Sequence, residues 1–219
     1  MSMKKIILII LLLLPFSLFG QQFQYAVRYG YHLTSLPTSD PKLPETLFES
    51  LIGRKMGFEY TFLIDNNRRY NGNFQGFTSG FYVKYENFNL NNFQESTNIN
   101  NRSIQLPLYW AIKENEWNTI YKFGLIYQYD YETNIEGTNA WKINPNHLNL
   151  YGSLGFDNEP YSYRRDWSYY IGVFGEYSLT SYAKNEQIRV LNWGVTVGLS
   201  YIIDYYHYRG KTYNRPIYD

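Results

Sequence analysis

Cysteine is absent from the 219-residue sequence, and histidine occurs only as His32, His147 and His207. Without cysteine there is no disulfide framework, thiol nucleophile or thiolate metal site. An excess of one charge is missing too: 20 Lys and Arg stand against 19 Asp and Glu. Such a balance gives nothing to draw the chain to nucleic acid. Long apolar runs are also scarce. Residues 6–14 form one, but it falls short of the roughly 18–20 residues of a spanning helix, and no later run approaches that length. Any membrane insertion of the rest must use closed β-structure, because only that satisfies every backbone group in lipid.

The short run has a different reading. Lys4 and Lys5 precede it, and Ser17-Leu18-Phe19-Gly20 supplies a small-residue exit before Gln21-Gln22. Basic start, short apolar core and small exit describe a secretory signal peptide, residues 1–20. No cysteine follows to take a lipid anchor. Removing Lys4 and Lys5 turns the formal charge from +1 to about −1.

Aromatic residues are abundant at 20%, with 25 Tyr, 14 Phe and 5 Trp. They fall on one side of a period-two alternation, the signature of half-buried strands. Phe23, Tyr25, Val27, Tyr29 and Tyr31 alternate with Gln24, Ala26, Arg28, Gly30 and His32. The pattern returns at Met56–Phe58–Tyr60–Phe62–Ile64, at Phe77–Ser79–Phe81–Val83–Tyr85, and at Ile104–Leu106–Leu108–Trp110–Ile112. It returns again at Tyr121–Phe123–Leu125–Tyr127–Tyr129, and more weakly at Leu148, Leu150, Leu154 and Phe156 around Gly152. Trp167–Tyr169–Ile171–Val173 and Leu191–Trp193–Val195–Val197–Leu199–Tyr201–Ile203 close the series. About eight strands of membrane-crossing length result, an even number as bacterial barrels require. The expected fold is all-β: one antiparallel up-and-down transmembrane barrel over residues 21–203, followed by a periplasmic tail, 204–219.

The expected connections alternate in character. Segments 33–53, 87–101 and 132–145 read as long external loops, with a short helix over 44–52 from the spacing of Leu47, Phe48, Leu51 and Ile52. Segments 65–73, 114–118 and 157–166 read as turns. Long loops at one end and turns at the other fit an outer-membrane barrel, although 181–187 is short for an external loop.

Alternation alone also allows a soluble lipocalin-like barrel with its apolar face inside. Three features favour lipid on the apolar face. That face is nearly free of charge, its opposite is rich in Gly, Ser, Thr and Ala, and the Tyr and Trp exceed what a soluble barrel of this size needs. The polar face then lines a lumen. Its charges are Arg28, Lys55, Lys84 and Lys122 against Glu59, Glu86, Asp130 and Glu176. Unpaired, each would cost several kcal/mol, so pairing is expected, with Arg28 and Glu59 on adjacent strands as the first pair. Eight strands leave room only for side chains. The expectation is a plugged lumen whose charges are structural; a gated proton or ion path is the functional alternative.

Signals of chemistry are few. No two histidines have metal-ligand spacing and no HExxH motif occurs. No catalytic residue, cofactor site or metal site is expected. His147-Leu148-Asn149 puts Asn where a lipid A deacylase would have its serine, and the acid and His clusters of outer-membrane proteases are missing. Tyr169-Tyr170 and Tyr205-Tyr206 suit an interfacial girdle better than sugar stacking.

Laid out as strands, the chain resembles the PorT-like family of outer-membrane β-barrels. The resemblance is carried by Phe19-Gly20-Gln21-Gln22, by Ser103-Ile104-Gln105-Leu106-Pro107-Leu108, by the interior Gly124 of the next strand, and by Val195-Thr196-Val197-Gly198-Leu199-Ser200-Tyr201. It implies a barrel of about eight strands in the outer membrane of a Gram-negative bacterium and no established enzymatic activity. The founding member serves a protein secretion system; the tail after Ile203 departs from the family pattern. The expected function is a non-enzymatic structural, adhesive or assembly component acting through external loops. Its expected partners are outer-membrane lipid and another envelope protein or surface ligand. The alternatives are a small channel, a lipid-modifying enzyme near His32, and a soluble exported β-protein.

Overall fold

The computed structural model describes residues 22–35, 47–50, 52–65, 74–92, 95–114, 117–136, 143–158, 167–182, 184 and 189–204. The expected signal peptide, the tail beyond Asp204 and the pair Tyr205-Tyr206 lie outside them. Nine strands follow in chain order: β1 (Gln22–Ser35), β2 (Leu47–Ser50), β3 (Ile52–Asp65), β4 (Phe74–Asn92), β5 (Glu95–Glu114), β6 (Thr119–Glu136), β7 (Asn146–Asn158), β8 (Trp167–Ser178) and β9 (Leu191–Asp204). Each barrel strand pairs antiparallel with its chain neighbour, and β1 pairs with β9, so eight strands close a ring. Closure leaves the barrel wall without the unpaired edge that an open sheet would expose to lipid.

Register fixes the geometry. Partners followed once around run Tyr25, Tyr60, Ser79, Leu108, Leu125, Leu150, Tyr177, Leu191 and back to β1 at Ser35, ten residues beyond the start. A stagger of that size over eight strands tilts them by roughly 35–45° from the barrel axis. The end holding Gln22 and Asp204 also holds the β3–β4, β5–β6 and β7–β8 connections and is called the turn end; the other is the loop end. At the turn end Asn118, with φ of 49°, takes the left-handed conformation that asparagine tolerates, and its carbonyl accepts from the Asp157 amide at 2.8 Å.

The loop end departs from expectation in three places. The helix over 44–52 is absent where described: Leu47–Ser50 is strand β2, paired with β4, and Ile52 opens β3. Ser50 faces Phe88 but Arg54 faces Tyr85, so the register moves by one residue across position 51. Such a one-residue irregularity breaks period two and mimics helical spacing. The loop over 87–101 is instead the continuation of β4 and β5, paired out to Asn92 and Glu95. The loop over 132–145 begins later, because β6 stays paired with β5 to Glu136. Together β2, β4, β5 and β6 form a sheet that projects beyond the barrel.

The two faces of the wall separate as the alternation requires. Outward side chains are apolar: Leu108 and Ile171 are each 60% exposed, and Val173 is 55% exposed. Inward ones are polar and closed off; Lys84 and Gln105 are both 0% exposed. A soluble barrel has the opposite arrangement, so that alternative is excluded by the direction of the apolar face.

Candidate functional site: a layered lumen and an open sheet edge

Strand alternation places Arg28, Lys55, Glu59, Lys84, Glu86, Lys122, Asp130 and Glu176 all inside the barrel, and all buried. They do not form one cluster. Glu59 of β3 is the centre of a lower group, with Arg28 Nε at 3.2 Å, Lys122 Nζ at 2.5 Å and the Tyr82 hydroxyl donating at 2.6 Å. The Arg28 guanidinium lies over the Tyr170 ring, 4.1 Å from its centroid. Space for that arrangement comes from glycine. A Cβ at Gly172 would collide with Tyr170 and one at Gly198 with Arg28, which is why the cation and the ring fit one narrow tube.

Above this group the lumen is aromatic. Tyr109 stacks on Tyr151 at 4.1 Å and 17°, Phe174 packs beside Tyr151, and Ile126 completes the layer. Lys55 spans the boundary, with Nζ 3.5 Å from the Phe174 centroid and 2.6 Å from Glu176. From there an ionic chain continues: Glu176 to Lys84 at 3.1 Å and Lys84 to Glu86 at 2.6 Å. Gln105 donates to Glu176 at 3.2 Å and to Gln128 at 2.9 Å, and Asn192 donates to Glu86 at 2.9 Å. Gln128 reaches Asp130 at 2.9 Å, and Asp130 holds His147 Nε2 at 3.0 Å. Tyr182, from the β8–β9 connection, lies flat on the His147 ring at 4.9 Å and 13°.

Two lumen charges lie outside the set read from sequence. Lys113 and Asp157 are buried at the turn end, 4.0 Å apart, and Gln24 donates to Asp157 at 2.5 Å. Asp157 sits next to the last residue of β7 rather than in a turn. Their signal was parity: Lys113 continues the inward positions 109 and 111, and Asp157 continues 151, 153 and 155. His32 is buried as well, near the loop end of β1, and neither ring nitrogen has a hydrogen-bond partner among the described residues. Tyr169 and Tyr170 divide between the faces, Tyr169 outward and Tyr170 under Arg28.

Asp130 and His147 form a dyad, but no hydroxyl nucleophile bonds the free side of the ring: His147 Nδ1 has no hydrogen-bond partner among the described residues. No group of three His, Cys, Asp or Glu there could hold a metal.

Outside, the wall carries a lipid belt. Its turn-end row runs Phe23–Phe62–Phe77–Trp110–Phe123, each a direct cross-strand partner of the next. Its loop-end row starts at Tyr31, eight residues along β1, about 20 Å at strand rise and barrel tilt. An apolar band of about that height, aromatic at both margins around a charged interior, is the outer-membrane architecture. The chain is an outer-membrane-type β-barrel.

No family model and no curated protein matches the chain. Among solved structures it is similar to Ail, the attachment invasion locus protein of Yersinia pestis, in complex with the heparin analogue sucrose octasulfate. Identity there is 13% over 83% of this chain and 99% of that one, with a TM-score of 0.41. It is also similar to the translocator domain of the autotransporter NalP from Neisseria meningitidis, at 10% identity over 83% and 88% of the two chains and a TM-score of 0.28. These values are too low to carry family or function, and the barrel assignment stands on register and burial.

The projecting sheet ends in an open edge. β6 pairs with β7 only to Tyr129, opposite Asn146, and the Asp130 amide then donates to the Pro145 carbonyl at 2.8 Å. Residues 132–136 keep their β5 partners, Tyr131 being the extra residue where the register shifts, but no described strand pairs with the other side of 131–136. The loop reading of the sequence missed this edge, because Glu132, Asn134 and Glu136 are of types depleted in strands.

Proposed function

We propose that this chain is a non-enzymatic protein of a Gram-negative outer membrane, anchored by a side-chain-filled barrel and acting through the sheet at its loop end. The observation that carries this reading is the β6 edge over 131–136, to which no described strand is paired. A row of unpaired backbone donors and acceptors held in strand geometry is a template for an added strand. The occupant is an extended segment of another envelope protein or of a surface ligand, bound in an adhesive or assembly role. Resemblance to the PorT-like family supports the assembly form, as an accessory to secretion. The paired and buried lumen charges support an anchor over a channel.

The test is co-purification from native membranes with the wild-type chain and with Ile135→Pro, which removes one backbone donor on the side away from β5 and stiffens the edge. A protein retained by the wild type and lost from the variant is expected, with unchanged heat-modifiable migration of the barrel on gels. A partner held equally by both removes the edge from the function. Planar-bilayer recording addresses the anchor: steady single-channel conductance from the wild type overturns the filled lumen.

A further inference from the structure

The outer wall changes character in one step at its loop end. Cross-strand partners there run Tyr31–Arg54–Tyr85–Arg102–Glu132 across β1, β3, β4, β5 and β6. The next row toward the middle of the wall is Tyr29–Met56–Val83–Ile104–Tyr129, with no charge. The next row outward is Asn87–Asn100–Asn134 on β4, β5 and β6, and Leu33–Ile52 on β1 and β3. Apolar wall, tyrosine–arginine row and asparagine row follow one another along β4, β5 and β6. Tyr85 and Arg102 therefore sit where hydrocarbon gives way to headgroups, and Arg54, one strand before Tyr85, lies about 3 Å nearer the middle of the wall because the strands are tilted. Toward the turn end the outward positions of β3 are Phe62 and Ile64 and those of β5 are Trp110 and Ile112, without a cation, so on these two strands the arginines belong to the loop end.

The local geometry leaves positive charge unspent. Arg54 and Arg102 flank the Tyr85 ring, with guanidinium carbons 5.0 and 4.8 Å from its centroid. Arg102 is held by Glu132 at 2.8 Å. Arg54 is exposed and has no carboxylate partner among the described residues; its neighbours are Tyr31, Tyr85 and Met56. Two cations and one anion leave net positive charge at this margin of the wall. Guanidinium groups match phosphate oxygens in a planar, bidentate way, and the Tyr85 ring keeps the two arginines on one patch.

We infer that Arg54 and Arg102, joined by Tyr85, bind the phosphate of a lipid headgroup in the leaflet at the loop end. The inference rests on the barrel spanning a membrane with this row at its interface. Arg54 is the primary phosphate ligand; Glu132 orients Arg102 and limits its share. Such a contact would select phosphate-monoester lipids from the surrounding leaflet and fix the barrel's depth there.

The experiment places the full chain in nanodiscs of phosphatidylcholine containing a minor fraction of phosphatidic acid and counts retained lipid by native mass spectrometry. The wild type is expected to retain about tenfold more phosphatidic acid than the Arg54→Gln/Arg102→Gln double variant, the loss of one strong charged contact. Lys184→Gln, an exposed cation off the wall, is expected to match the wild type, and soluble glycerol 3-phosphate is expected not to compete. Equal retention by wild type and double variant overturns the site. So does an equal loss in Lys184→Gln, which reduces the effect to general surface charge. Full competition by glycerol 3-phosphate reassigns the row to a soluble phosphate. Failure of the wild type to enter nanodiscs with heat-modifiable migration overturns the membrane reading itself, and this inference with it.

Discussion

The lumen and the outer wall are made by the same eight strands, residue by residue in alternation, yet they solve opposite problems. Leu125 points into lipid and is 41% exposed; the next residue, Ile126, points inward and is fully closed off. On the wall each side chain meets a uniform apolar solvent, so its contribution depends on its own polarity and depth. In the lumen each side chain meets particular partners. Glu59 bonds an arginine, a lysine and a tyrosine at once. Wall positions are therefore interchangeable within a chemistry, while lumen positions are coupled.

Substitutions can break or sharpen that contrast, and the largest effect is expected inside. Glu59→Gln leaves Arg28 and Lys122 buried without an anion, and a loss of about 3–5 kcal/mol is expected in urea unfolding from lipid vesicles. Adding Lys122→Met should recover part of it; full additivity of the two changes would break the claim of coupling. On the wall, Leu125→Arg puts a charge near the middle of the belt and should cost about 2–4 kcal/mol by the same assay, whereas Leu125→Ile should cost under about 1.5 kcal/mol. A charge tolerated there would place position 125 outside the hydrocarbon. Within the aromatic layer, a double-mutant cycle on Tyr109 and Tyr151 should return a coupling of about 0.5–1.5 kcal/mol for their stacked rings. The smallest change is expected at the loop-end margin: Glu132→Gln removes a half-exposed ion pair and should shift stability by no more than about 1 kcal/mol.

Most of this division was legible in the sequence, because period two is a direct image of a barrel wall. Once the apolar set of one strand is assigned outward, every remaining side chain of that strand is placed, Arg28 and Glu59 included. Legibility faded where period two is broken or weakly marked. At position 51 a one-residue register change brought Leu47, Phe48, Leu51 and Ile52 into helical spacing, although the residues described there are strand. Along 87–101 asparagine concealed strands that are held by partners on both sides rather than by their own preference. Lys113 and Asp157 stand at strand ends, where parity still points inward but the adjoining turn residues draw them out of the lumen set. The layering of the lumen was not legible at all. It depends on the ten-residue stagger, which decides which inward residues meet across the tube, and no single strand carries that information.

The same stagger bears on how the barrel assembles. Seven of the eight barrel pairings join strands that are consecutive around the chain and can form as hairpins. The eighth joins β1 to β9, where the Ser35 hydroxyl meets the Leu191 carbonyl across a sequence separation of 156 residues. Contacts that distant form late and slowly, since the whole intervening chain must first be brought to order. Any one-residue slip among the other pairings would arrive at this seam as a mismatch of faces, lumen against lipid. The seam thus acts as a final proofreading step, completed only when every earlier pairing is in register.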